Sequence, residues 1–301
     1  MLQMSRIMKN NRMMKSLTGL SVKEFMILSD DFERMLYEQR ATKARKRKVG
    51  AGRKGTLKDA QSKLFYILFY LKTYPTYDLA GFIFGVDRSQ CFHWTANLMP
   101  LLKKALGHHV VLPKRQIRSL EEFIFLFPEV KDLFIDATER RTQRPQKAKI
   151  QRKRYSGKKK THTRKNTIIS NEERKILFLS KTREGRLHDM KQLKKTCVLE
   201  HIPQDITLWV DKAYVGIQDY LKYHNPVMIP HKKPNGKTLT AAQKKENKLI
   251  SGFRIVVEHA INGIKRFGSM SATYRNRKGQ DDEMIYLCAG LWNFHLQYAE
   301  C

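Results

Sequence analysis

The sequence predicts a mixed α/β domain preceded by a smaller all-α domain. Three observations predict it. Residues 21–106 show helical spacing of apolar residues, divided by Pro and Gly into four helices. From Leu133 onward short β-rich runs appear, and helical stretches lie between and after the later ones. The 301-residue chain is 41% hydrophobic, which suffices for one large core or two modest ones. The expected division is an N-terminal helix and basic linker over 1–56, a helical domain over 57–110, and an α/β domain over 125–301.

Met1 to Lys15 is basic and Met-rich without an apolar stretch, so no secretory signal is expected. Residues 21–40 form an amphipathic pattern. Phe25, Leu28, Phe32 and Met35–Leu36 share one face, and Ser21 with Glu24 makes a capping box. Arg40 to Lys54 holds eight Lys/Arg and no acid, which suits an exposed linker or arm.

A helix over Lys58–Lys72 ends before Pro75. A second spans Tyr77–Phe84, with Gly85 placed as its C-terminal stop. A third starts at Arg88, capped by Asp87, with Gln90 completing a capping box. Pro100 is expected to kink or restart it. Short helix, Gly turn and capped helix make a helix-turn-helix pattern. Gln90, His93 and Asn97 then share the outer face of the last helix, with Arg88 and Ser89 in its first turn. These side chains can reach bases or phosphates, while Cys91, Trp94, Leu98 and Leu101 face inward. A plain three-helix bundle with a polar outer face is the alternative.

Charge favours the first of these. There are 59 Lys+Arg against 28 Asp+Glu, a net charge of +31, which is tolerable beside a polyanion. Double-stranded DNA is the expected partner. The longest apolar run, Leu64 to Leu71, is too short to cross a membrane. Cys91, Cys197, Cys288 and Cys301 are dispersed without a CxxC pair, which argues against zinc or a disulfide framework and fits a reducing cytosol. The ten histidines form no ligand pattern.

In the α/β part, strands are expected at Leu133–Thr138, Thr167–Ser170, Ile176–Ser180, Ile206–Asp211 and Val227–Ile229. Helices are expected near 187–195, 215–223, 241–267 and 282–299. Between the first two strands, Arg140 to Lys165 carries 13 Lys/Arg, including Lys158, Lys159 and Lys160, and no acid. A basic hairpin there would grip phosphates.

Asp136 lies inside an apolar strand and Asp211 ends another. A carboxylate in a buried strand is costly unless it is paired or metal-bound. Either alone suits a cap or turn; two together indicate a shared site. On the long helix, Arg254, Glu258 and Lys265 return to one side at i, i+4 and i+11. A solvated ion-pair stripe is the ordinary explanation for an isolated helix. Three converging carboxylates, in contrast, need divalent cations. Two Mg²⁺ ions can activate a water or a 3′-hydroxyl and stabilise the leaving oxygen at a phosphodiester, with Arg254 and Lys265 holding phosphates beside them.

These residues resemble the DDE transposases of bacterial insertion sequences, in particular the insertion-sequence-five and Harbinger-like superfamily. The resemblance rests on Ile135-Asp136-Ala137-Thr138-Glu139-Arg140, Tyr155-Ser156-Gly157-Lys158-Lys159-Lys160 with His162, Val210-Asp211-Lys212-Ala213-Tyr214 with Gly216, and Val257-Glu258-His259 followed by Lys265-Arg266-Phe267. It covers roughly residues 50–300. It implies a ribonuclease H-like fold and makes Asp136, Asp211 and Glu258 the metal-binding catalytic triad. Ser251 stands where the helical signature of such enzymes often has Tyr. The resemblance further implies two Mg²⁺ ions per site, with Mn²⁺ as a substitute. It implies recognition of terminal inverted repeats by the helix-turn-helix, cleavage, transfer of 3′-OH ends to target DNA, a homodimer or larger synaptic complex, and a bacterial cytoplasmic, nucleoid-associated location. A catalytically silent regulator derived from such an enzyme is the rival, and a basic RNA-binding protein is another.

Overall fold

Local sequence signals set most helix ends in the computed structural model, which describes residues 4–41, 55–233, 236, 238–276 and 279–299. Residues 42–54 of the basic arm lie outside that set. The chain divides into two compact units. One comprises Met1–Leu112, Lys265–Ala272 and Glu283–Cys301; the other comprises Pro113–Ile264 and Thr273–Asp282.

In the first unit, α1 (Met4–Met8), α2 (Asn11–Thr18) and α3 (Val22–Ala41) open the chain. The Asn10 side chain caps α2, and Gly19 closes it in the left-handed region at φ 84°. The capping box of α3 forms as expected: the Glu24 amide donates to Ser21 Oγ and the Ser21 amide to Glu24 Oε2. Then follow α4 (Ala60–Thr73), α5 (Tyr77–Phe84) and α6 (Arg88–His108). Gly85, at φ 66°, ends α5 at the position its sequence suggested. The Asp87 carboxylate caps α6 through the Ser89 amide and hydroxyl rather than through a box with Gln90. Pro100 sits inside α6, which runs through it without restarting.

An aromatic cluster locks α4, α5 and α6 together. The Tyr66 ring meets Phe84 and Trp94 edge-on, both at 5.1 Å, and its buried hydroxyl donates to the Cys91 carbonyl at 2.7 Å. Gly81 lets α5 close onto the turn: a Cβ there would stand 2.6 Å from the Val86 carbonyl oxygen.

The second unit contains α7 (Leu120–Leu126), β1 (Asp132–Arg141), α8 (Ala148–Arg154), β2 (Tyr155–Ser156), β3 (Thr161–Ser170), β4 (Ile176–Leu179), β5 (Arg183–Glu184), α9 (Asp189–Lys194), β6 (Thr207–Val210), β7 (Val227–Met228) and α10 (Ala241–Lys265). Lys265, the last residue of α10, falls in the first unit, as do α11 (Gly268–Ser271) and all but the first two residues of α12 (Asp281–Tyr298). A short 3₁₀ turn at Ile217–Tyr220 stands where a helix over 215–223 was expected.

The sheet is mixed, in the order β2-β3-β1-β6-β7, with β4 and β5 both pairing β3. β1 is antiparallel to β3 and parallel to β6. Successive side chains of a strand point to opposite faces. Leu133 and Ile135 of β1, with Leu208 and Val210 of β6, pack into a core with Phe123, Met190, Leu193 and Tyr214. Phe134 and Asp136 therefore face the other way, as do Trp209 and Asp211.

Candidate active site and DNA-binding surface

The register of β1 and β6 places the two strand carboxylates side by side. The strands pair in parallel with Ile135 opposite Val210, so Asp136 and Asp211 follow as neighbours at the ends of that pairing. Strands in a sheet lie about 4.8 Å apart. Each carboxylate is held by backbone: Asp136 Oδ1 accepts from the Ala137 amide and Asp211 Oδ1 from the Lys212 amide, both at 2.7 Å. Asp211 also caps the short 3₁₀ turn Lys212–Tyr214.

A stack of rings brings α10 to this face. Phe134 lies on Trp209 at 5.9 Å and Trp209 on Phe253 at 4.6 Å. The next residue, Arg254, then reaches both carboxylates, Asp136 at 3.4 Å and Asp211 at 3.7 Å. Burial pushes the Asp136 carboxyl above its ordinary range. The Ala137 amide and Arg254 oppose that rise, while Asp211 and Asp189 add to it. Beneath the pair lies Tyr214, fully buried. Burial first, then the charges of Asp136, Asp189 and Asp211, hold its hydroxyl far above the ordinary tyrosine value. That hydroxyl has no hydrogen-bond partner among the described residues.

Glu258 is not part of this cluster. It is exposed on α10, one turn beyond Arg254. Among the described residues no three carboxylate, imidazole or thiol groups are grouped so that they could hold one metal ion. Lys265 is exposed at the end of α10.

On α6, Arg88, Ser89, Gln90, His93 and Asn97 are all exposed, while Cys91, Leu98 and Leu101 are buried and Trp94 is half-buried. Arg88 makes a loose pair with Asp78 of α5 at 3.5 Å. Lys158, Lys159 and Lys160 are exposed on the tight turn joining β2 to β3, with Lys160 at φ 48°.

Residues 135–293 match the family described as DDE superfamily endonuclease. The chain belongs to that family. Residues 56–108 match the helix-turn-helix of DDE superfamily endonucleases, so α4 to α6 form that DNA-binding module of the family. The chain is also 28% identical, over 94% of its own length and 96% of the other's, to a Microchaete diplosiphon protein named "Probable transposase for insertion sequence element IS702". No solved structure matches it.

DDE superfamily endonucleases use divalent metals. Asp136 and Asp211 fit such an ion chemically. They are hard oxygen donors, adjacent, and share one cationic partner that now answers their mutual repulsion.

Sequence reasoning missed a buried ionic cluster on the same sheet. Lys165 Nζ bridges Asp189 at 2.7 Å and Glu139 at 3.2 Å, and also donates to the Leu187 carbonyl. Glu139, three residues after Asp136, points to the opposite face and accepts from Thr163 Oγ1 at 2.7 Å. Asp189 opens α9 in a stretch with no distinctive local pattern. Only the packing of α9 against β3 brings it to Lys165. No helix among the described residues is long and apolar enough to cross a membrane.

Proposed function

We propose that this protein is a transposase. Its catalytic domain is of the ribonuclease H-like type, and it cuts the phosphodiester backbone at the ends of its element and joins the freed 3′-OH ends to target DNA. The observation that carries this reading is the juxtaposition of Asp136 and Asp211 by parallel pairing of β1 and β6, under a shared guanidinium. Membership of the endonuclease family and the transposase name of the 28% identical relative support it.

Asp136, Asp211 and Glu258 would hold two Mg²⁺ ions, or Mn²⁺ in their place, and these would supply Lewis acidity to the reacting phosphate and acidity to the attacking hydroxyl. Glu258 stands exposed and apart from the pair; its assignment as third ligand rests on its place on α10, four residues after Arg254 and so on the same side of the helix. Arg254 neutralises the carboxylates before DNA arrives and then serves as a phosphate contact; Lys265 contacts the backbone further along the same helix. Arg88, Ser89, Gln90, His93 and Asn97 read the terminal inverted repeats from α6. Lys158, Lys159 and Lys160 grip phosphates from the β2–β3 turn. Two element ends must be held at once, so the working form is a homodimer or larger synaptic complex, acting on the nucleoid in a bacterial cytoplasm.

The test is strand cleavage of a plasmid carrying the gene and its flanking DNA, with Mg²⁺ or Mn²⁺, comparing the wild type with Asp211→Asn. Cleavage at the flanks by the wild type alone supports the reading. Binding by both proteins with cleavage by neither overturns it.

A further inference from the structure

A second cleft lies in the α/β unit, away from the carboxylates. It is a cavity of about 740 Å³, lined by Arg144, Gln151, Arg152, Tyr155, His162 and Arg186, with no acidic residue in its wall. Its volume is that of a small-molecule cleft. The wall is held in place. Tyr155 pairs with His162 across β2 and β3, and their rings meet edge to face at 5.7 Å. Gln151 accepts from Arg144 at 3.2 Å and donates to the Pro145 carbonyl at 2.7 Å, which fixes the loop before α8. Gly185 lies so close to β3 that a Cβ would stand 1.8 Å from Thr163 Oγ1, and the following Arg186 amide bonds the Lys153 carbonyl at 3.2 Å.

Tyr155 is 46% exposed on this surface, among arginines. An aromatic face beside guanidinium groups matches a ligand that carries both a π-system and negative charge, as a nucleotide does. A second cavity shares Arg144 and adds Arg154, Arg164 and Arg275; its two acids are Asp281, paired to Arg164 at 3.2 Å, and Asp282, paired to Arg115 at 3.4 Å. A strand leaving the first cavity over Arg144 thus meets a further cationic path. Duplex phosphates alone would use the arginines but have no use for the ring.

We propose that the Tyr155 cavity binds one unpaired nucleobase of a DNA strand. The base stacks on Tyr155, and Arg144, Arg152 and Arg186 hold its flanking phosphates. Asp136 pairs with Ile168 of β3, six residues from His162. At about 3.3 Å per residue the cavity lies about 20 Å along the sheet from the carboxylate pair. That distance is about six nucleotide steps at roughly 3.4 Å each, so the base is not the reacting nucleotide. The proposal rests on the DNA-processing reading above and extends it.

The full chain is titrated against two labelled oligonucleotide duplexes, one fully paired and one with a single-nucleotide bulge carrying 2-aminopurine. The wild type is expected to prefer the bulge about tenfold and to quench the 2-aminopurine, since one base–aromatic stack is worth roughly 1–3 kcal/mol. Tyr155→Ala should lose that preference and the quenching while keeping its affinity and salt slope for the paired duplex. Tyr155→Phe should retain both. Equal binding of the two duplexes by the wild type, or an undiminished preference in Tyr155→Ala, overturns the proposal and leaves the DNA-binding reading standing. Binding of neither duplex overturns both.

Discussion

The guanidinium of Arg254 stands 3.4 Å from the Asp136 carboxylate, although 118 positions separate them in the chain. The same side chain reaches Asp211, so one cation holds two carboxylates that would otherwise repel each other. Removing it should expose that repulsion. Arg254→Ala is expected to melt below the wild type without divalent cations and to gain more from millimolar Mg²⁺ than the wild type does, because only a bound ion then screens the pair. Adding Asp136→Asn should abolish the extra gain. Thermal denaturation with and without Mg²⁺ measures this. An equal Mg²⁺ effect in wild type and Arg254→Ala would show that the pair is not a cation site.

Lys165 leads to a prediction about pH. Its ammonium is buried between Glu139 and Asp189. Lys165→Met leaves two buried carboxylates without their cation and should cost roughly 3–5 kcal/mol in urea denaturation. Burial tends to raise the Glu139 carboxyl, but bonds from Thr163, Ser156 and Lys165 outweigh it and hold the group below its ordinary value. The stability it contributes is therefore present above the unfolded-state value, about 4.3, and is lost as pH falls through the lowered one. In Lys165→Met a main opposing charge is gone and burial counts for more. The acid-side loss should then flatten or reverse between roughly pH 6 and 4. An acid profile parallel to that of the wild type would disprove the coupling.

The turn of the helix-turn-helix depends on Gly81. Its carbonyl accepts from the Val86 amide at 2.9 Å, and a Cβ would meet the Val86 oxygen at 2.6 Å. Backbone cannot yield as a flexible side chain can. Gly81→Ala should therefore cost about 1–3 kcal/mol and shift α6 relative to α5. Binding to the element's own flanking DNA is expected to weaken more than binding to unrelated DNA. Gly107→Ala, where the nearest atom is Leu112 Cδ1 at 3.7 Å, is the control and should change neither.

Punctuated elements were legible in the sequence. Pro75 and Gly85 bracket α5, Ser21 and Glu24 open α3, and the apolar runs of β1 and β6 carry Asp136 and Asp211. The helices α1 and α2 were not recognised, although Asn10 and Gly19 offered a local cap and stop. The part of β3 from Thr161 to Asn166 was hidden for a different reason. Its cations suggested an exposed hairpin, yet Lys165 is buried because Glu139 and Asp189 meet it from elements 26 and 24 residues away. Such burial is written in tertiary pairing and not in local pattern. Arg254 was expected beside phosphates; its contact with Asp136 and Asp211 depends on the Phe134–Trp209–Phe253 stack, which no spacing rule reveals.

The two basic surfaces should separate affinity from sequence discrimination. Lys158, Lys159 and Lys160 project from a turn and carry no means of reading a base beyond charge. Each one that touches a phosphate releases a counterion on binding, so Lys159→Ala should lower the magnitude of the slope of log K against log salt by about 0.9 and weaken all DNA alike. Asn97, exposed on α6 with Gln90 and His93, can instead make a bidentate contact to adenine. Asn97→Ala should leave the salt slope intact while narrowing the gap between the element's terminal DNA and an unrelated duplex by about 1–3 kcal/mol. Fluorescence anisotropy over a salt series with both duplexes distinguishes the two effects. If Asn97→Ala changes the slope and not the gap, α6 contacts the backbone and sequence is read elsewhere.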